Sequence, residues 1–229
     1  MPFLYRTGWL IAQVHFAIYH CLKVVGRENL PTGGGCLIAA NHTSHLDPPV
    51  LGTACFRRLK YVAKQELWES GFLKWYFKQI GVIPIKRGGG GGAEMLHTAA
   101  EAVKDGDVVV LFPEGTRSKT GYPGKARTGV IVLAAMTGAP VVPVRISGTY
   151  DCMPPKSKFI LPGKIQVAFG KPITWAPGEL DASNREQMVR EAQKLLDIII
   201  SLPGWHPRKA VKPTEPAGEN PANIDSGTE

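Results

Sequence analysis

A histidine and an aspartate stand five residues apart in Asn41-His42-Thr43-Ser44-His45-Leu46-Asp47, directly after the short apolar run Cys36–Ala40. A carboxylate that accepts a hydrogen bond from one imidazole nitrogen selects the tautomer, and the other nitrogen is then a base aimed at a substrate. Thr43 and Ser44 are expected to shape the turn. Two other readings compete. Asp47 could cap a helix that opens at Pro48-Pro49. His42, His45 and Asp47 also contain the ligand types of a metal site, although the remaining histidines, His15, His20, His97 and His206, lie in no polar cluster.

Two further polar clusters follow apolar runs. Phe112-Pro113-Glu114-Gly115-Thr116-Arg117-Ser118 comes after Asp107–Phe112, whose continuous apolar run reads as a core strand. Glu114 and Arg117 could satisfy one another, or could hold the hydroxyls and phosphate of a small polar substrate. Gly115 and Thr116 would let backbone N–H groups approach a ligand. Lys86 and Arg87 follow Gly81–Ile85 and precede five glycines, an arrangement suited to an anion. It contains no nucleotide-binding P-loop.

Elements must bring these clusters together. Strand patterns at Cys36–Ala40, Tyr61–Ala63, Gly81–Ile85, Asp107–Phe112, Ala139–Ile146 and Ile165–Phe169 alternate with helical ones. The helices are expected at Pro49–Phe56, Leu67–Gln79, Ala93–Lys104, Thr128–Thr137 and Asn184–Ser201. This predicts an α/β fold with a mostly parallel sheet flanked by helices, whose ligands gather beyond the carboxyl ends of the strands. With 229 residues and 44% apolar composition, one domain over residues 27–202 has material for a core. Residues 203–229 hold five prolines and few bulky apolar side chains, and read as a disordered tail. Four well-separated cysteines with no C-x-x-C pair read as reduced thiols.

The net charge of +8 is uneven: residues 1–92 hold eleven Lys/Arg and four acids. A basic half implies an anionic partner, either nucleic acid, an anionic membrane or a phosphorylated substrate. Residues 1–26 read as an amphipathic helix, too short and too interrupted for the roughly 20 apolar residues of a span. Arg6, Gln13, His20 and Lys23 gather in one arc, against Leu10, Ile11, Val14, Ile18, Leu22 and Val25 elsewhere. Such a helix suits a membrane interface, with Trp9 and Tyr19 near the headgroups, or packing on the domain's own core. The segment 56–78 is basic and aromatic, and suits anionic lipid, an acidic carrier protein or solvent.

The order and spacing of Asn41-His42 through Asp47, Gly81–Arg87, Phe112–Ser118 and Val142-Pro143-Val144 resemble the four motifs of the glycerophospholipid acyltransferase family, over about residues 25–175. Arg87 falls on the second motif's arginine, Glu114 and Arg117 on the third, substrate-binding motif, and Pro143 on the fourth. The chain departs from the usual pattern at Pro84, at Lys86 and in the glycine run.

The resemblance implies transfer of a fatty acyl chain from a thioester to the sn-2 hydroxyl of 1-acyl-glycerol 3-phosphate, giving phosphatidic acid. Glycerol 3-phosphate or another lyso-lipid would use the same motifs. His42 would be the base and Asp47 its orienting partner. Arg87, Arg117 and Lys86 would clamp the acceptor phosphate, and Glu114 would hold the glycerol portion, with Gly115 and Thr116 in the same binding loop. No cofactor or metal is implied. Acyl-CoA or acyl carrier protein is the donor substrate, and a peripheral, monotopic position on the cytoplasmic face of a membrane follows. An anion-binding protein, nucleic acid included, and a metallo-hydrolase using His42, His45 and Asp47 are the rival classes; the first does not explain F-P-E-G-T-R-S.

Overall fold

The computed structural model describes residues 3–64, 83–85, 91–154, 157 and 159–208. The helix expected at Leu67–Gln79 and the pair Lys86 and Arg87 lie outside the described residues.

The chain runs α1 (Phe3–His20), β1 (Lys23–Val25), β2 (Cys36–Ala40), α2 (Asp47–Ala54), β3 (Leu59–Lys64), β4 (Ile83–Ile85), α3 (Gly91–Lys104), β5 (Val108–Leu111), α4 (Gly129–Thr137), β6 (Val141–Ser147), α5 (Thr149–Cys152), β7 (Gln166–Phe169) and α6 (Arg185–Ser201). Among the described residues, seven strands form one sheet in the order β1-β7-β6-β2-β5-β3-β4. Every neighbouring pair is parallel except β6 and β7, which run antiparallel with Val144 opposite Phe169. The carboxyl ends of β2, β5, β6 and β4 therefore share one edge.

Strand alternation divides the core. Cys36, Ile38 and Ala40 of β2 pack with Val108, Val110, Val142 and Val144 toward α1 and α2. Leu37 and Ala39 point the other way, among Val109, Leu111 and Val141 and the buried faces of α3, α4 and α6. A strand buried on both sides reads as an unbroken apolar run, which is why CLIAA and VVVL stand out in the sequence. At the opposite end of the sheet from the motifs, the Arg57 guanidinium donates to the carbonyls of Pro31, Gly34 and Gly106. Lys60 pairs with Asp107 at 2.5 Å. Part of the basic excess is thus committed within the fold.

Three features differ from the sequence reading. The helix expected over residues 1–26 stops at His20, because Cys21 takes φ 43° and the chain turns into the sheet edge. Backbone bonds from Ile165 N to His20 O and from Lys23 N to Ile165 O make that turn, and Lys23 becomes the first residue of β1. Two members of the polar arc, Gln13 and His20, face the protein, as the core-packing alternative expected: Gln13 donates to Thr53 O and His20 is buried, while Trp9, expected near headgroups, donates from Nε1 to Gly52 O at 3.1 Å. The apolar side chains Leu10, Ile11, Val14 and Ile18 face outward. Finally, residues 203–208 pack against the domain. Gln166 Nε2 donates to Pro203 O, Trp205 N to Ser147 Oγ and Arg208 N to Asp151 Oδ2, and the His206 ring stacks on Tyr122. Trp205 and the free strand-end hydroxyl of Ser147 supply packing and a bond that a Pro-rich composition does not reveal.

Candidate active site

The turn after β2 is pinned first by Asn41. Its side-chain amide donates to Ile146 O at 2.9 Å and accepts from Ile146 N at 2.7 Å, joining β2 to β6 just beyond their last shared pair. His42 then emerges at the strand end with its ring stacked on Phe112, centroids 4.0 Å apart. Its Nδ1 lies 2.8 Å from Asp47 Oδ2.

Asp47 is fully buried at the start of α2 and accepts four hydrogen bonds. Oδ2 takes those of His42 Nδ1, Thr43 N at 2.6 Å and Ser44 N at 2.8 Å, while Oδ1 takes that of Thr149 Oγ1 at 2.5 Å. Asp47 is not the helix cap the sequence allowed: Leu46 holds the cap position without a side-chain bond, and Asp47, the first helical residue, reaches back to the N–H groups of the preceding turn, so orienting the histidine and shaping the turn are one arrangement. A carboxylate accepts, so His42 Nδ1 carries the proton and Nε2 presents a lone pair. With its side chain 17% exposed, the imidazole reaches the surface while its partner, at 0%, does not. No trio of His, Cys, Asp or Glu among the described residues has the geometry of a metal site.

Glu114 is nearly buried, and both its oxygens are occupied: Oε1 by His42 N and Oε2 by Gly124 N, each at 2.9 Å. Burial pushes its carboxyl above the ordinary value of 4.5, against the lowering pull of those two N–H groups. This side chain, expected to hold the glycerol portion of a substrate, ties the loop after β5 to the turn that carries His42. Ser118 N donates to His42 O at 2.8 Å and completes the tie.

Gly115 sits at φ 69°, and a Cβ there would meet Arg127 Cδ at 2.7 Å; its N–H closes a turn onto Phe112 O. Thr116 is exposed. Arg117 is half-buried beside the turn, its Nη1 without a hydrogen-bond partner among the described residues. Arg117 and Glu114 do not satisfy each other. Partial desolvation, then Arg117 and His42, hold the exposed His45 imidazole below its ordinary value of 6.5, so a neutral ring adjoins the arginine. β4 ends at this same edge just before Lys86 and Arg87, which are outside the described residues.

Thr149 and Phe112's stacking were not foreseen. Thr149 follows Gly148 at the end of β6, and that glycine has φ 91° with a would-be Cβ 2.0 Å from Lys164 O, so only glycine leads the chain into α5 there. Ser147-Gly148-Thr149, a polar run ending a core strand, was the available signal.

Residues 21–147 match the model of the acyltransferase family. The chain belongs to that family. It is 33% identical over 190 residues to the chloroplastic 1-acyl-sn-glycerol-3-phosphate acyltransferase BAT2 of Brassica napus, covering 82% of this chain and 55% of that protein. The 1-acyl-sn-glycerol-3-phosphate acyltransferase of Bacillus subtilis is 31% identical over 154 residues, 66% of this chain and 73% of its own length. Among solved structures, the 1-acyl-sn-glycerophosphate (LPA) acyltransferase PlsC from Thermotoga maritima superposes with a TM-score of 0.69 at 25% identity, covering 86% of this chain and 80% of that one. The chain spans only about half the length of the plant relatives, 55% and 53%.

Proposed function

We propose that the chain transfers a fatty acyl group from a thioester to the sn-2 hydroxyl of 1-acyl-glycerol 3-phosphate, forming phosphatidic acid. The observation that carries this reading is the His42–Asp47 pair, its carboxylate saturated from behind, at the same edge as Arg117, whose Nη1 has no hydrogen-bond partner among the described residues. The names of the relatives support the acceptor. His42 Nε2 takes the hydroxyl proton as that oxygen attacks the thioester carbonyl. Asp47 stabilises the imidazolium that results. The tetrahedral intermediate collapses with cleavage of the C–S bond, and the departing thiolate recovers the proton from His42. The chain's own nucleophiles form no acyl intermediate in this scheme. Arg117, with Arg87 and Lys86, holds the acceptor phosphate, and Gly115 and Thr116 line its approach.

Acyl-CoA or acyl carrier protein supplies the acyl group, and the reaction needs no cofactor or metal. The protein sits peripherally on the cytoplasmic face of a membrane through α1, consistent with the finding that no described helix is long and apolar enough to cross one. Nucleic acid is not a partner. Residues 27–202 form the acyltransferase domain.

The test is release of free thiol by purified protein given an acyl-CoA and a panel of acceptors, beside His42→Ala. Turnover with 1-acyl-glycerol 3-phosphate that falls by at least ~10²-fold in His42→Ala supports the reading. Turnover only with another acceptor corrects the substrate, and full activity in His42→Ala removes the base from the mechanism.

A further inference from the structure

The outward face of α1 is not the only exposed apolar surface on its side of the molecule. Phe159, Ile160 and Leu161 lie 77%, 40% and 43% exposed, three consecutive large apolar residues in the connection between α5 and β7. On α1, Ile11 and Ile18 are 71% and 77% exposed. The two surfaces meet: Tyr19 Oη donates to Ile160 O at 3.4 Å, and Ile165 N donates to His20 O. Contiguous exposed apolar patches of this kind mark an interaction surface.

The loop is also built to leave water. Ser157 Oγ accepts from Phe159 N and donates to Phe159 O, Leu161 N donates to Cys152 O, and Tyr19 covers Ile160 O. Most backbone polar groups of the three residues are therefore satisfied within the protein, the condition for irregular chain to enter an apolar medium. Lys156, Lys158 and Lys164 flank the loop in sequence. Positive flanks oppose docking of a second copy on the same face, and favour anionic headgroups.

We infer that Phe159–Leu161 is a second lipid anchor, inserting beside α1 into the interface of an anionic bilayer. Two contacts, a helix and a loop tied to it through Tyr19, restrict rotation of the domain about the helix axis. One contact alone does not. The inference rests on the reading of the chain as an enzyme of membrane-borne acceptors, and names the surface that meets the membrane.

Co-sedimentation with vesicles of phosphatidylglycerol and phosphatidylcholine tests the anchor without any turnover, so its result is independent of which acceptor is used. Phe159→Asp is expected to weaken vesicle binding on the order of tenfold, and Ile18→Asp to do the same. Turnover of a short-chain, monomerically dissolved lysophosphatidate should remain at the wild-type level in Phe159→Asp, which shows that the variant is folded. Undiminished vesicle binding by Phe159→Asp, with Ile18→Asp impaired, overturns the second anchor. So does a wild-type dimer in solution that Phe159→Asp converts to monomer, because a second copy then covers the face. Loss of soluble-substrate turnover would place the loop's effect inside the fold and also overturn it.

Discussion

The hydroxyl of Thr149 donates to Oδ1 of Asp47 at 2.5 Å, tying the carboxylate behind His42 to a residue 102 positions later in the chain. Oδ2 is meanwhile occupied by His42 and two backbone N–H groups. An unpaired buried carboxylate would leave its oxygens unsatisfied; one with four donors is held in place.

Asp47→Asn separates charge from shape. The amide oxygen can replace Oδ2 and accept the same donors, while the amide nitrogen donates to Thr149 Oγ1 in place of accepting from it. The fold should lose less than about 2 kcal/mol. Turnover should fall by ~10²–10⁴, because the imidazolium loses its counter-charge. Urea unfolding beside steady-state kinetics measures both, and equal losses of the two would make Asp47 a purely structural residue. Thr149→Val, which removes one charge-assisted bond, should cost about 1.5–3 kcal/mol, with Thr149→Ser near wild type.

Glu114 has a pH signature. Its carboxyl is held above the ordinary 4.5 by burial, so the folded state binds the proton more tightly than the unfolded chain. That contribution is fully present below the ordinary carboxylate value and is lost as pH rises through the raised one. Glu114→Gln removes it, and leaves the N–H of either His42 or Gly124 without an oxygen, a cost of about 1–3 kcal/mol. Stability of wild type minus variant, followed by denaturant unfolding across the mildly acidic to neutral range, should decline with rising pH. A difference that grows with pH contradicts the assignment.

The left-handed Gly115 and the Arg127 side chain packed over it form a second coupled pair. Gly115→Ala places a methyl 2.7 Å from Arg127 Cδ at φ 69°, and should cost about 1–2 kcal/mol from the backbone alone. Combining it with Arg127→Ala relieves the collision, so the double variant should be more stable than the sum of the singles predicts. Strict additivity in the cycle would mean the clash relaxes freely.

Residues 203–208 flank the site on both sides, reaching Tyr122 near the Glu114 loop and Ser147 and Asp151 near Thr149. Between them and Asn41, Thr43 and Glu114 lies a cavity of about 30 Å³. Ending the chain after Leu202 should lower the melting temperature relative to ending it after Arg208, by about 2–4 °C for each kcal/mol of packing removed. Scanning calorimetry on the two truncations decides whether the brace contributes.

The amino-acid sequence alone determined whatever depends on neighbours along the chain. CLIAA and VVVL are strands because a strand covered on both faces needs every residue apolar. His42 and Asp47 pair because a five-residue turn into a helix brings them within 2.8 Å. α6 begins where Asn184 accepts from Gln187 N. Tertiary structure decided the rest. A helical wheel sorts Gln13 and His20 from Ile11 and Ile18, but only the carbonyls of Gly52 and Thr53 on α2, which accept from Trp9 and Gln13, show which side of the helix faces the protein. Glu114 has the chemistry of a substrate ligand, and only the fold shows that the N–H groups of Gly124 and His42 meet its carboxylate. Thr149 has no local reason to meet Asp47. Parallel pairing of β2 with β6 ends both strands at one edge, and that edge alone puts the hydroxyl within reach of the carboxylate.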